Sequence, residues 1–347
     1  NGSGILGDPK TFGMFKDVGA DPDPNLAGTI PLVIFAMFQL MFALITPVLV
    51  AGAVAERVNF SSWLLFVFCW HLVVYCPLVH ITWHPDGILR DWGYLDFAGG
   101  LVVQISSGVA ALALQIFLGS HKRHPISPTN IRFVMLGAGL QWFGWLGFNA
   151  GSALSAGGLA CQTFATTNTC AAASMMTWVL LDYFSSRATS AVGACNGVVV
   201  GLVTITPACG FVTVGGSMCI GIITCIICYV VGAFFNETTG IDDSLDVFTI
   251  HGLGGTCGVI LTAVFSSLNV NPGGADGLVY GEGITLGKHL AVVVISIPCI
   301  MITTWGCCTV ANFVIPFRVT EEQEQLGLDL SMHGETVADD NKNDKSV

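Results

Sequence analysis

Apolar runs of bilayer length recur along this chain, at residues 28–54, 61–83, 98–119, 131–153, 158–184, 189–207, 211–235, 247–269 and 288–316. About 20 apolar residues in a helix span the roughly 30 Å hydrocarbon core, and a helix satisfies its own backbone polar groups there. Only 10% of the residues are charged, against 53% hydrophobic. That is too little charge to cover a soluble domain of 347 residues. The sequence reads as an all-α polytopic membrane protein of about nine transmembrane helices.

Small residues recur inside the runs, as in GACNGVVVGL from Gly193 and GGTCGV from Gly254. They let helix backbones approach closely where lipid is as apolar as the helix itself. Arg57, Lys122, Arg123, Arg132, Arg187 and Arg318 gather at one set of span ends, with Arg90 and Lys288 at the other. By the positive-inside rule the first set is cytoplasmic, so the N-terminus lies outside and the C-terminus inside. Residues 1–27 form an extracytoplasmic Gly, Asp and Pro-rich leader, 28–316 the membrane domain, and 317–347 an acidic cytoplasmic tail. The formal charge of −11 sits mainly in the end segments, at residues such as Asp21, Asp23, Glu321, Glu322, Glu324, Asp339 and Asp340, which speaks against a nucleic-acid partner. The 13 cysteines lack regular pairing or companion histidines and read as small buried thiols.

Ionisable groups inside spans are expensive and mark function. His251 in LDVFTIHGLGGTCG stands deep in its span beside Gly252, Gly254 and Gly255, and the related stretch LDFAGGLVVQISSG carries Gln104 at the comparable place. If the two side chains meet at mid-membrane they make a pore site. Asp96 and Asp246 open these helices, either capping free backbone amides or favouring a nearby cation. His71 and His80 read as interfacial groups bonded to backbone, and Asp182 as a helix-end residue. Phe38, Gln39 and Phe42, Trp83, and the WLGFNAGS group with Trp145, Phe148, Asn149 and Ser152 gather toward one membrane side. Aromatic belts are common there, yet ring faces with a hydroxyl are also what a small cation needs. Ser106 and Ser107 near Gln104 suit backbone bonding better than a hydrolase nucleophile.

The segments LDFAGGLVVQISSGVAAL, GWLGFNAGSA, AERVNFS, ACNGVVVGLVTITPACG, DVFTIHGLGGTCG and FRVTEEQEQLGLDLSMHGE together resemble the ammonium transporter (Amt/Mep/Rh) family, in order and over nearly the whole chain. The resemblance implies a channel-like helical bundle of inverted-repeat ancestry in the plasma membrane, a homotrimer passing ammonium or ammonia with no cofactor and no enzymatic chemistry. It implies recruitment of ammonium by Trp83, Phe42 and Ser152 near Asp96, a stacked gate formed by Phe38 or Phe42, and a pore lined by Trp145, Gln104 and His251.

Two departures stand out. The chain resembles the family from its third helix onward, which predicts a piece lacking two of eleven helices. Gln104 also occupies the place of a pore histidine, and an amide holds hydrogen bonds without titrating. An ammonium-binding sensor with little flux, read by a cytoplasmic partner at the tail, is the alternative to transport.

Overall fold

The computed structural model describes residues 3–121, 130–186, 188–243 and 245–335. Lys122, Arg123, Arg187, Asp339 and Asp340, used above for orientation or tail character, lie outside the described residues, as does the 342–347 end. The helices are α1 (Leu32–Gly52), α2 (Phe60–Trp70), α3 (Cys76–Trp83), α4 (Ile88–Asp91), α5 (Ser106–Leu118), α6 (Ile131–Gly151), α7 (Gly158–Phe184), α8 (Ala191–Ile205), α9 (Val214–Thr238), α10 (Gly254–Phe265), α11 (Gly283–Val314) and α12 (Glu321–Leu326). Among the described residues, strand pairing is limited to isolated bridges.

Side chains that compete with the backbone in a helix interior serve instead at helix starts. Asn59 Oδ1 accepts from Ser61 N at 3.0 Å to open α2, and Asn130 Oδ1 accepts from Arg132 N at 3.1 Å to open α6. Ser190 and Thr213 hydroxyls cap α8 and α9 in the same way.

Among the described residues, six helical segments are long and apolar enough to cross a membrane: Leu32–Gly52, Phe60–Asp91, Gly100–Leu118, Val214–Thr238, Phe248–Phe265 and Gly283–Val314. The chain is thus an integral membrane protein with a helical fold. The 131–153, 158–184 and 189–207 runs are helical as well, as α6, α7 and α8. Of these α8, at 15 residues, is the short one.

Burial separates a central pair from the rest. The Gly100–Leu118 window is 83% buried and the Phe248–Phe265 window 56%, against 28% for Leu32–Gly52. Each central segment begins with a six-residue π-helical stretch, Gly100–Ile105 and Phe248–Leu253, that runs straight into α5 and α10. Such widened turns are uncommon and gather at functional sites. The two segments cross at glycine. A Cβ on Gly108 would stand 2.0 Å from Gly252 N and 2.3 Å from its Cα, so no larger residue fits between these backbones.

One end of the molecule is tied by a buried arginine. Arg57 is wholly buried, and its guanidinium donates to the carbonyls of Gly119 at 2.8 Å and of Ala53, with Asp242 Oδ2 3.8 Å away. Burial pulls its pKa down, and Asp242 opposes that pull. Arg318 reaches the carbonyls of Leu118 and of Ser120 (2.8 Å) and pairs with buried Glu324 at 2.9 Å. The described part of the tail is therefore docked on the bundle at the Arg57 end, opposite the Trp83 end of the Phe60–Asp91 segment.

Candidate functional site

Rings from three elements meet at the Trp83 end. Phe42 on α1 is buried, with its ring centroid 4.2 Å from Phe148 on α6 and 5.4 Å from Trp83 at the end of α3. The Phe42 and Phe148 planes are tilted by 35°, nearer to stacking than to an edge contact, whereas Trp83 meets Phe42 edge-on at 83°. The sequence points to Phe38 or Phe42 as the stacked gate. The ring actually laid over Phe42 is Phe148, and Phe38 stands edge-on to Phe42 at 4.9 Å and 74°. Phe148 follows Trp145 by three residues and precedes Ser152 by four, so all three share one face of α6. That spacing is the signal that could have singled it out.

Phe38, Phe42, Trp83, Asp96 and Ser152 line one cavity of about 1390 Å³. Ser152 Oγ donates to the Phe148 carbonyl at 3.0 Å, which leaves its oxygen lone pairs free to accept. Trp83 is oriented by its indole N–H, which donates to the backbone carbonyl of Asp96 at 2.9 Å.

Asp96 is a cap. Its Oδ1 accepts from Gly99 N (2.7 Å) and Gly100 N (2.6 Å), and its Oδ2 from Leu101 N (2.8 Å), just before the span begins. Burial pushes its carboxyl up to about 6, against the pull of these amides. It thus fixes the start of the Gln104 helix and, through its carbonyl, the indole of Trp83.

Further in, Trp145 is buried with its Nε1 donating to Thr206 Oγ1 at 3.0 Å. Gln104 and His251 meet as the sequence suggests. His251 Nδ1 lies 2.7 Å from Gln104 Oε1, both residues are buried, and Gln104 Nε2 has no hydrogen-bond partner among the described residues. Because Oε1 can only accept, the imidazole proton belongs on Nδ1 and the Nε2 lone pair is free. A Cβ on Gly255 would lie 2.7 Å from Gln104 Cβ, so this glycine makes room for the glutamine.

The expectation for Asp246 needs correction. Asp246 sits at φ +52° and takes Asn196 Nδ2 at 3.1 Å, with its own carboxyl raised to about 6 by burial and by the charge of Asp243. The carboxylate that caps the His251 segment is Asp243, which accepts from Phe248 N (3.1 Å) and Thr249 N (3.0 Å) and from Gln115 Nε2 (2.6 Å). Asp243 precedes His251 by eight residues, and Asp96 precedes Gln104 by eight. The Leu-Asp match that sets Asp246 opposite Asp96 is out of register by three.

The remaining polar groups are structural. His80 Nε2 lies 2.8 Å from Ser3 O, His71 packs on the Tyr75 ring at 4.7 Å, and buried Asp182 accepts from Tyr229 OH at 3.0 Å. Ser106 and Ser107 donate to the carbonyls of Val102 and Val103, each at 2.6 Å.

A sequence model of the Ammonium Transporter Family matches residues 10–338. An ammonium transporter of Bacillus subtilis is 43% identical over 340 residues, covering 98% of this chain and 83% of that protein. The crystal structure of Candida albicans Mep2 superimposes with a TM-score of 0.85 at 34% identity, covering 93% of this chain and 73% of that one. A structure named Sensor Amt Protein gives 0.82 at 27% identity, covering 96% and 82%.

Proposed function

The chain belongs to the ammonium transporter family, and from that premise we propose that it carries ammonium across the membrane by the site just described. Trp83, Phe42 and Ser152 form the outer recruitment site, where ring faces attract the cation and the serine oxygen accepts one of its N–H bonds. Asp96 adds negative charge to the same cavity and holds Trp83 in place. Beyond the Phe42–Phe148 pair, Trp145 packs in an apolar cluster with Val198, Leu202 and Ile250. Moving an ion into such a medium costs on the order of 20 kcal/mol in the idealised limit, so the ion leaves its proton outside and neutral ammonia goes on. Ammonia then passes Trp145, Gln104 and His251 toward the Arg57 end.

The observation that carries this reading is the tilted Phe42–Phe148 ring pair at the aromatic cavity, together with a buried Gln104–His251 contact in the central segments. A glutamine cannot take up and release a proton as an imidazole does, so the pore lacks a two-histidine relay. The expected result is low proton-coupled current, which Gln104→His raises. Solid-supported membrane recordings on proteoliposomes measure this; equal currents from both proteins would refute the relay argument. Growth of an ammonium-uptake-deficient microbe on low ammonium tests transport itself.

We also infer nine crossing helices, since α6, α7 and α8 pack side by side with the six long apolar segments. The Arg57 end is cytoplasmic by its arginines Arg57, Arg132 and Arg318. Assembly as a homotrimer in the plasma membrane, with the docked tail open to a cytoplasmic partner, completes the proposal. Native mass spectrometry reads the subunit number.

A further inference from the structure

His289 is fully buried on α11 and takes no part in the transport path. Both of its ring nitrogens are committed to backbone. Nδ1 lies 2.7 Å from the Val259 carbonyl on α10, and Nε2 lies 3.2 Å from Leu95 N in the loop that leads to Asp96. A carbonyl can only accept and an amide N–H can only donate, so the imidazole is neutral, with its proton on Nδ1 and its lone pair on Nε2. Tyr94 lays its ring against the same imidazole, the centroids 4.7 Å apart. The loop tied in this way carries more than itself. One residue past Leu95, the Asp96 backbone carbonyl accepts the indole N–H of Trp83 at 2.9 Å, and on the far side Phe97 N donates to the Pro207 carbonyl at 3.1 Å. The Asp96 carbonyl is thus held between two tethers, one of which is the His289 side chain.

We propose that His289 is a positioning residue for ammonium recruitment: it fixes the Asp96 carbonyl, and through it the Trp83 indole, against the α10 segment. The proposal rests on the recruitment reading of Trp83 and adds to it a residue that does not touch the ion. Without the imidazole acceptor, the Leu95 N–H loses the hydrogen bond that satisfies it in a buried place, and an unsatisfied buried donor favours a shift of the loop that bears it. α10 keeps its own helical bonds around Val259, so the loop and the indole move while that helix stays. The effect therefore falls on capture of the ion and not on passage through the pore.

The test measures initial rates of ammonium uptake into proteoliposomes as a function of concentration. His289→Phe keeps a ring against Tyr94 and removes both nitrogens. Its apparent KM should rise roughly threefold to tenfold, the worth of one neutral hydrogen bond, with Vmax near that of wild type. His289→Gln, whose carboxamide can again donate and accept, should restore the wild-type KM. In a Trp83→Leu background His289→Phe should raise KM no further, because the group it positions is gone. A merely structural role would instead lower Vmax and act regardless of Trp83. If His289→Phe does not fold, His289→Asn, one methylene too short to reach both partners, takes its place with the same expectations. A wild-type KM in His289→Phe, a fall in Vmax alone, a raised KM in His289→Gln, or the full KM effect in the Trp83→Leu background would each overturn the proposal. Wild-type vesicles without uptake would overturn the transport reading instead, and a Trp83→Leu protein of wild-type KM the recruitment reading.

Discussion

Replacing Gly108 by alanine tests the central crossing at its tightest point. The added methyl would lie 2.0 Å from Gly252 N, 2.3 Å from Gly252 Cα and 2.7 Å from the His251 carbonyl carbon, where ordinary contact begins at 3.4 Å. All three neighbours are backbone, so no rotamer change relieves the overlap. The two segments must part by about 1.4 Å at this point. A rigid separation of that size takes the 2.7 Å Gln104–His251 bond past the 3.5 Å limit of a hydrogen bond. Overpacking of this kind costs about 1–3 kcal/mol, more where backbone is on both sides. Gly137→Ala, on α6 with no atom within 4 Å of the new methyl, serves as the control and should be neutral or stabilising by roughly 0.5–1 kcal/mol. Ammonium uptake into proteoliposomes and the melting temperature of the detergent-solubilised protein are measured for both variants. Gly108→Ala should melt several degrees lower and lose most of its uptake. If it matched Gly137→Ala in both, the close approach of the central segments would be refuted as the support of the pore pair.

Trp83→Leu removes a ring from the recruitment site, and a cation–π contact of about 0.5–2 kcal/mol corresponds to a rise in apparent KM of between twofold and thirtyfold, read from concentration-dependent uptake. Asp243→Asn leaves one backbone amide of the His251 segment without its carboxylate partner and should reduce uptake and stability together, whereas Asp246→Asn, outside the cap, should do much less; a melting and uptake comparison separates them. Asp96, with its carboxyl near 6, should lose its charge as pH falls through that value, and recruitment with it. Because the folded value lies above the ordinary 3.8, the protein binds the proton more readily than the unfolded chain does, so Asp96 makes folding less favourable as pH rises from about 4 to about 6. Uptake of Asp96→Asn should be low throughout and lack that acid-side step, as a pH series of initial rates will determine.

The membrane class and the Gln104–His251 pairing were legible because each depends on pattern: apolar length for the first, two related glycine-rich stretches for the second. The caps were only half legible. The repeated Leu-Asp drew the register to Asp246, when the eight-residue spacing to the pore side chain selects Asp243. Phe148 stands in the aromatic group that the sequence points to, but its place over Phe42 was not legible, because nothing local says that its ring lies on Phe42 from another helix. The π-helical stretches carry no residue signature at all. The two at the centre, Gly100–Ile105 and Phe248–Leu253, each follow a carboxylate that holds backbone amides, a pairing that shows only once both segments are in place.

The same scaffold explains why a glutamine can stand in the pore without disturbing it. The contacts that set the crossing use nothing of Gln104 beyond its Cβ: the Asp96 carboxylate holds backbone amides, Gly108 lies against Gly252, and Gly255 against Gln104 Cβ. Any residue other than glycine supplies that Cβ, so Gln104→His changes only the atoms beyond it. The helices keep their positions, and the new ring meets His251 where the carboxamide did. A gain of proton-coupled current in that variant therefore reports the chemistry of the side chain rather than a rearranged bundle. A variant with wild-type melting temperature and no gain in current would show that a second imidazole at this place is not enough to relay a proton.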